Sequence, residues 1–399
     1  MRGSILWGSS GESGVELILL VVLFSAVTSC SVKQTAPDIP LTFEGSSQEL
    51  KATEVVPTLD TPIPKGKNAI WCASFPSAWK ALEELAGEPI RFRERPEMAG
   101  QLNAADDPRP HIPPASLYTA SGWNQQGITN QIWRDLEQRF PGKKAPTFEA
   151  ITPDSFVAYA YLEANVRFPI PYDQNPQPLV FAEGGGNQVE IHSFGVSKDN
   201  HNDRDKIWKQ PRVLFRKGEP GDDDFEFALD LCSSSPTSQV VVARIAAQPT
   251  LEGALARVES GIAAMPELIE QRSARSGSRM GDRLLEFNST DALWVPDFHW
   301  SISHRFLQLE GSEFTNAKLR GQRMDIAQQD IRFCLDRSGA TLRSEAKTEK
   351  SAIPTNFFFE RPFLVYMKKR GAPIPYFAMW VDNAELLRRR DGAGKPGVN

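Results

Sequence analysis

The chain has 399 residues, of which 40% are hydrophobic and 24% charged, and its formal net charge at pH 7 is −5. This is the composition of a globular protein, with enough residues for one large domain or two small ones. The negative net charge argues against a nucleic-acid-binding surface, and no internal repeat is visible.

The N-terminus carries a short apolar run. Residues 17–27 read LILLVVLFSAV, which is too short to span a bilayer but is typical of the core of a secretory signal. The run ends in Val27-Thr28-Ser29-Cys30, which resembles the lipobox of bacterial lipoproteins, in which the cysteine becomes the lipidated first residue. The pattern predicts a signal peptide over 1–29, a lipid anchor at Cys30 and an extracytoplasmic location in a bacterial cell envelope.

Acidic residues near this signal leave alternatives open. The leading region carries Arg2 but also Glu12 and Glu16, which is unusual for a signal. A plain secretion signal or a misassigned start would also fit.

The remaining cysteines are Cys72, Cys232 and Cys334. Their number is odd and none lies in a CxxC pair, so neither a disulfide framework nor a zinc site is predicted. We expect them to be small core residues.

Residues 30–67 are rich in Pro, Ser and Thr and are predicted to be a flexible tether. Residues 68–87 place Trp71, Phe75, Trp79 and Leu82 at helical spacing before Gly87, which predicts an amphipathic helix. We expect a loop over 94–114 and a second helix over 126–140.

Strands dominate the rest of the chain. Residues 155–168, SFVAYAYLEANVRF, are typical of a strand buried on both faces of a large sheet. Gly184–Gly186 is predicted to be a flexible turn, 251–264 a helix and 388–399 a disordered tail. The other predicted strands are 188–194, 225–231, 239–245, 293–298, 330–335, 363–367 and 376–381. The pattern is that of an α+β protein with more strands than one small sheet holds.

Catalytic and metal-binding motifs are missing from the sequence. It contains no GxSxG elbow and no GxxxxGK[ST] loop. His299 and His304 are five apart, which is not a metal-ligand spacing, and Asp222–Asp224 is typical of a solvated acidic turn. We therefore predict no enzyme activity, no metal and no cofactor.

The C-terminal segment resembles a known family. Phe359-Glu360-Arg361-Pro362-Phe363-Leu364-Val365-Tyr366 resembles the terminal signature of serpins, the Phe-x-x-x-Pro-Phe segment after the reactive loop. Residues 377–383, FAMWVDN, are similar to the last strand of that family, although the usual Gly after Phe is replaced.

Further resemblances occur in the same order over Asn68–Asn383. Ile331–Leu335 followed by Asp336–Gly339 is similar to the central strand and hinge of serpins, and Ala158–Pro169 to their other central strand. The family usually has a Trp where this chain has Val166. The resemblance implies one serpin-like domain over 68–387, in which N-terminal helices pack on a large mixed sheet, with smaller sheets and a reactive loop over 340–358.

In serpins this loop is bait for a serine protease, and after cleavage it inserts into the main sheet. The resemblance therefore implies a monomer without catalytic residues, whose partner is an extracytoplasmic serine protease. The scissile region would be Lys350, Ser351, Ala352 and Ile353. A Lys350–Ser351 bond suits a trypsin-like pocket, although Lys350 could equally be an ordinary exposed lysine.

The loop also has the alternation of a strand. Counted from Gly339, the odd positions carry every charge, and the even positions are small or apolar. The odd positions are Thr341, Arg343, Glu345, Lys347 and Glu349, and the even ones are Ala340, Leu342, Ser344, Ala346 and Thr348.

The hinge leaves two functions open. It comprises Gly339, Ala340, Leu342, Arg343 and Ser344. Inhibitory serpins favour small residues there, and Leu342 and Arg343 depart from that rule. The first hypothesis is a suicide-type protease inhibitor. The alternative is a non-inhibitory serpin-fold lipoprotein with a binding or scaffold role. A secreted enzyme is disfavoured because no nucleophile–base set appears.

Overall fold

A computed structural model describes residues 40–142, 145–149, 151–165, 168–197, 207–276, 282–338 and 355–390. The α-helices of this part of the chain are α1 Ser74–Ala86, α2 Glu97–Ala104, α3 Ile128–Arg139 and α4 Leu251–Ser276. The first nine strands are β1 Phe43–Ser46, β2 Thr53–Val55, β3 Asn68–Cys72, β4 Leu117–Trp123, β5 Phe156–Asn165, β6 Asp173–Gln174, β7 Leu179–Ala182, β8 Gln188–Ile191 and β9 Ser193–Val196. The other strands are β10 Arg212–Lys217, β11 Glu226–Asp230, β12 Ser238–Arg244, β13 Ala292–Pro296, β14 Phe298–Arg305, β15 Met324–Leu335, β16 Asn356–Phe358, β17 Phe363–Lys369 and β18 Phe377–Val381. None of the described helices combines the length and the apolar character needed to cross a bilayer.

A mixed five-stranded sheet has the order β1-β14-β15-β5-β4 and is called the central sheet below. β5 is rich in aromatic and β-branched residues, which favour strands, and its side chains alternate between two covered faces. On one face, Tyr159 and Tyr161 pack with Ile132 and Leu136 of α3. On the other face, α1 packs over the small side chains of β5, which suits a helix lying close to the strands.

A second sheet has seven strands in the order β10-β11-β12-β17-β18-β3-β2. A four-stranded sheet, β16-β13-β9-β6, and the hairpin β7-β8 complete the strands of the described residues. The central and seven-stranded sheets share one core, in which the ring of Phe333 stacks on that of Phe377 with centroids 4.6 Å apart. The predicted α+β arrangement, with N-terminal helices on a mixed sheet, is confirmed. The sequence did not predict that the second sheet has more strands than the central one.

The tether predicted for 30–67 needs correction over its described part. β1 pairs in parallel with β14, and β2 in parallel with β3. Between them, the backbone N–H groups of Lys51 and Ala52 both donate to the carboxylate of Glu385, at 2.7 and 3.0 Å. Residues 40–67 are therefore part of the fold, because the main-chain groups of this segment find partners in distant strands.

The predicted disordered tail is also corrected at its start. The backbone N–H of Arg388 donates to the carbonyl of Asp297 at 3.2 Å, and that of Arg390 to the carbonyl of Glu190 at 3.0 Å. Residues 388–390 therefore belong to the folded chain, and 391–399 lie outside the described residues.

Several element boundaries differ from the sequence predictions. Residues 68–72 form strand β3, and the helix begins only at Ser74 and ends at Gly87, which has a φ of 77°. The predicted loop 94–114 contains α2. The helix predicted to end at 264 continues to Ser276 through Pro266, and the strand predicted over 330–335 is the second half of the longer β15.

The triple-glycine segment forms a tight turn between β7 and β8. A Cβ atom at Gly184 would lie 2.2 Å from the carboxylate of Asp382. Gly184 therefore permits a close approach to β18, which the prediction of a merely flexible turn had missed.

Candidate functional site

The two central strands identified from the sequence lie side by side. β15 and β5 are parallel and directly hydrogen-bonded, from Ile326 opposite Val157 to Cys334 opposite Asn165 without interruption. This ladder is called the seam below. Its continuity means that the central sheet is closed along its middle.

The segment that leads from β15 into the loop is fixed to the rest of the domain. The backbone groups of Tyr172 and Arg337 meet, with the Tyr172 N–H donating to the Arg337 carbonyl at 3.0 Å. The Arg337 guanidinium donates back to the Tyr172 carbonyl at 3.1 Å, and Tyr172 is held by its hydroxyl donating to the Leu231 carbonyl at 2.7 Å. The loop thus begins from a rigid point at one end of the seam.

The segment that follows the loop is fixed in a different sheet. β16 pairs in parallel with β13. The backbone N–H of Thr355 donates at 2.7 Å to the carboxylate of the buried Asp291, which also accepts from the N–H of Asn288 at 2.8 Å. Burial raises the pKa of Asp291 despite these donors.

The seam is bridged by a side-chain hydrogen bond on the face that α3 covers. The hydroxyl of Tyr159 on β5 donates to the carboxylate of Asp330 on β15 at 2.7 Å. The amide of Gln328 donates to the same carboxylate at 3.2 Å. Burial raises the pKa of Asp330 and that of Tyr159, so the hydroxyl stays protonated and able to donate.

The part of the opposite face that α1 covers is lined by small side chains, whereas Leu162, Ile331 and Phe333 lie further along it. Ala158 and Ala160 of β5 and Ala327 of β15 lie buried against α1 and its neighbours. Such a surface can be separated and repacked with little loss of interlocking contacts, in contrast to one lined by large side chains.

The residues predicted to act in the loop lie outside the described residues, and so does Cys30. These are Gly339, Ala340, Leu342, Arg343, Ser344, Lys350, Ser351, Ala352 and Ile353. The expected functions of these residues therefore stay predictions. The structure does describe both attachment points of the loop, at Ser338 and Thr355.

The other predicted side-chain roles concern cysteines and histidines. Cys72, Cys232 and Cys334 are free, and burial raises the pKa of Cys72 to about 11 and those of Cys232 and Cys334 to about 12. His299 and His304 both lie on β14, where an offset of five residues puts them on opposite faces. No cluster of three or more His, Cys, Asp or Glu side chains suited to a metal ion occurs among the described residues.

Sequence reasoning missed the side chains that close the seam and anchor the loop. Tyr159 and Asp330 are 171 positions apart, and Thr355 and Asp291 are 64 apart. Nothing local marks either carboxylate among the many in the chain, so only the strand register identifies them.

Solved structures of serpins have a fold similar to that of this chain. A thermophilic serpin, tengpin, in its native state is 11% identical, with a TM-score of 0.47, over 80% of this chain and 90% of that one. An Arabidopsis serpin in its native stressed conformation is 10% identical, with a TM-score of 0.46, over 80% and 93%. Human thyroxine-binding globulin with thyroxine is 12% identical, with a TM-score of 0.46, over 80% and 92%. No protein-family model matches the chain, and no curated protein sequence matches it.

Proposed function

We propose that this chain is a serpin-type inhibitor of extracytoplasmic serine proteases, whose reactive loop is cleaved and whose part before the cut then inserts into the seam. The range predicted for this loop, 340–358, is corrected at its end, because Asn356–Phe358 form β16 and pair with β13. The observation that carries the proposal is the seam itself. Two parallel strands pair at the middle of a mixed sheet, and the loop leaves directly from the end of one of them.

Insertion at this point has a clear energetic direction. A strand that folds back from β15 runs antiparallel to β15 and also to β5. One parallel ladder is then replaced by two antiparallel ladders, which are slightly more stable per residue. The strand enters between elements that are already ordered, so its backbone groups find partners on both sides.

The two faces of the seam determine on which side of the sheet each set of loop residues can lie. Residues opposite each other in an antiparallel pair share a face. Gln328, Asp330 and Arg332 line the polar face, whereas Ile331 and Phe333 lie in the core. The charged odd set of the loop must therefore lie beside the polar residues of β15, and the even set beside Ala158 and Ala327. A slip of one residue would bury the charges.

The length of the loop fits the seam. Residues 339–354 span roughly 50 Å when extended, at about 3.3 Å per residue, and the seam is roughly 30 Å long by the same measure. A strand that starts near Gly339 therefore reaches the far end of the seam at about Thr348, two residues before the predicted scissile residue, Lys350. A protease esterified at that residue would be carried across the sheet.

The chemistry belongs to the protease. Its serine oxygen attacks the carbonyl carbon of the scissile residue, an ester forms, and the amide nitrogen leaves as a new amino terminus. Insertion competes with hydrolysis of this ester by water. If the hinge inserts slowly, water hydrolyses the ester first, and the protein behaves as a substrate.

The hinge supports a second candidate, a non-inhibitory protein of the same fold that binds or scaffolds. Leu342 and Arg343 are large, at hinge positions where small side chains speed insertion into the sheet. The two candidates predict opposite outcomes when the protein without residues 1–30 is incubated with trypsin-like and chymotrypsin-like proteases. A complex that survives boiling in detergent supports inhibition, and clean cleavage within 343–356 does not.

A hinge variant makes the test sharper. In the double variant Leu342→Ala, Arg343→Ala we expect a larger share of detergent-stable complex than in the wild type, because two small residues replace large ones. The control Lys347→Ala, Glu349→Ala replaces two residues of the charged set further along the loop and should leave that share nearly unchanged. Complete hydrolysis of all three proteins would contradict inhibition and favour the binding role.

We also propose that Cys30 is lipidated and holds the chain in the cell envelope. The support is the apolar run 17–27 and the Val27–Cys30 pattern. Cys30→Ser should move the protein from the membrane to the soluble extracytoplasmic fraction, and unchanged membrane association would contradict lipid anchoring.

A further inference from the structure

A charged cavity lies at one end of the seven-stranded sheet, away from the seam. Its volume is about 680 Å³, within the range of small-molecule sites. It is formed where β10, β12 and β18 end and where β11 and β17 begin. The strand ends surround it with fixed backbone, so its shape is set by the sheet.

The cavity contains a largely buried arginine that has no carboxylate within hydrogen-bond distance. The side chain of Arg244 is 13% exposed, and its guanidinium is 4.0 Å from the carboxylate of Glu360. It donates one hydrogen bond, to the carbonyl of Asp222 at 3.3 Å, and lies 5.8 Å from the centre of the Phe227 ring. Most of its five N–H donors therefore have no protein acceptor and are available to a ligand in the cavity.

Two other arginines at the same cavity differ from Arg244, because each is paired with a carboxylate. The guanidinium of Arg257 is paired with the carboxylate of Glu226, and that of Arg361 with the carboxylate of Asp223 at 2.7 Å. Burial lowers the pKa of Arg244, and the positive charge of Arg361 lowers it further. The negative charges of Glu360 and Asp223 offset these effects in part. Unlike its two neighbours, however, Arg244 has no carboxylate within hydrogen-bond distance.

The rest of the wall beside Arg244 is largely apolar. Phe225, Ile245, Pro362 and Trp380 line the cavity, and Phe225, Ile245 and Trp380 are buried. Lys65 and Lys217 add further cations to the lining. An arginine offers two parallel N–H groups that match a carboxylate, and the aromatic and aliphatic wall suits a hydrocarbon body.

We propose that this cavity binds a small organic carboxylate, with its carboxylate on Arg244 and its apolar body against Ile245 and Trp380. The inference is independent of the loop and of protease inhibition, because no residue of the seam takes part.

Octanoate is a suitable probe, with octanol as the uncharged molecule of equal chain length. Binding is followed by isothermal titration calorimetry and by the melting temperature of the protein without residues 1–30. We expect saturable octanoate binding and a higher melting temperature in the wild type, since a ligand of the native state stabilises it. Octanol should give neither effect at the same concentration.

Two variants separate this site from general binding of an amphiphile. Arg244→Gln should weaken octanoate binding about tenfold or more, because a charge-assisted contact is lost. Arg212→Gln, which changes an exposed arginine at the other end of β10, should bind like the wild type. A circular dichroism spectrum equal to that of the wild type shows that Arg244→Gln is folded.

Equal octanoate affinity in wild type and Arg244→Gln would overturn the proposal, and so would the absence of a saturable response in the wild type. If Arg244→Gln does not fold, Ala247→Trp at the mouth of the same cavity replaces it as the test variant. That variant should lose octanoate binding with its melting temperature otherwise unchanged, and retained binding would equally overturn the proposal.

Discussion

The two sides of the seam are held in different ways. On the side of β15, Phe333 packs against Trp300 and Phe377, with ring centroids 5.4 and 4.6 Å away, and so joins the central sheet to the seven-stranded sheet. On the side of β5, alanines face α1, and one tyrosine hydroxyl reaches across to Asp330. Large interlocked rings resist separation, and small side chains and one hydrogen bond resist it much less.

This difference indicates where the central sheet would open. β1, β14 and β15 form a unit with the second sheet and with residues 42–55. β5 and β4 are covered by α1 and α3, and among the described residues none of their rings contacts a ring of the seven-stranded sheet. We therefore expect the β5 side to move away from a fixed β15 side when the loop inserts.

The largest effect is expected from the aromatic tie on the fixed side. Phe333→Ala removes a fully buried ring and should lower the free energy of unfolding by about 3–5 kcal/mol, measured by urea denaturation. Leu307→Ala, at a side chain that is 52% exposed just after β14, should change it by less than about 0.5 kcal/mol. Equal effects of the two variants would mean that the aromatic cluster does not fix this side.

A second effect concerns the turn between β13 and β14. Asp297 is buried, one of its carboxylate oxygens has no partner, and burial raises its pKa from 3.8 to about 6. The native state therefore holds a proton that the unfolded state releases between these values, so stability falls as pH rises through this window.

The variant Asp297→Asn should remove this dependence. The difference in the free energy of unfolding, variant minus wild type, should increase by about 3 kcal/mol as the pH rises from 4 to 6. Denaturation at several pH values across that range measures it. A difference of the opposite slope would mean that the ion pair with Arg388, 3.6 Å away, outweighs burial.

The smallest effect is expected at the seam itself. Tyr159→Phe removes the hydroxyl that bridges to Asp330 and should cost about 1–2 kcal/mol. Hydrogen exchange of the β15 amides, which reports opening of the seam, should become faster. Tyr161→Phe is the matched control, because that hydroxyl donates to Glu163 on its own strand at 3.1 Å. Equal exchange in both variants would show that the bridge does not hold the seam closed.

The sequence predicted the two strands of the seam, but not the side-chain contacts that bridge the seam and anchor the loop. The strand character of 155–168 and 330–335 is local, because it depends on aromatic, β-branched and alternating residues. β1 was missed because its strand character depends on a partner far along the chain, with Trp300 opposite Phe43. The same holds for the Tyr159–Asp330 bond and the Thr355–Asp291 contact, which depend on register. The alternation of the loop could be derived from the sequence, because it needs only the parity of successive positions.

The most direct test of the account is to fasten the seam and then cleave the loop. Ala158 and Ala327 are directly opposite across the seam, and neighbouring strands lie about 4.7–4.9 Å apart, within the Cα–Cα range of disulfides. In Ala158→Cys, Ala327→Cys with Cys334→Ala, cleavage within 343–356 should leave the melting temperature unchanged while the disulfide is intact. After reduction, the cleaved protein should melt at a higher temperature than the intact one.

A control disulfide within the fixed side makes the result specific. Ser301→Cys, Arg332→Cys with Cys334→Ala joins β14 to β15 at opposed positions and does not cross the seam. This control should show the rise on cleavage with or without reduction. A rise in the oxidised seam variant, or no rise in any of the cleaved proteins, would contradict insertion of the loop between β5 and β15.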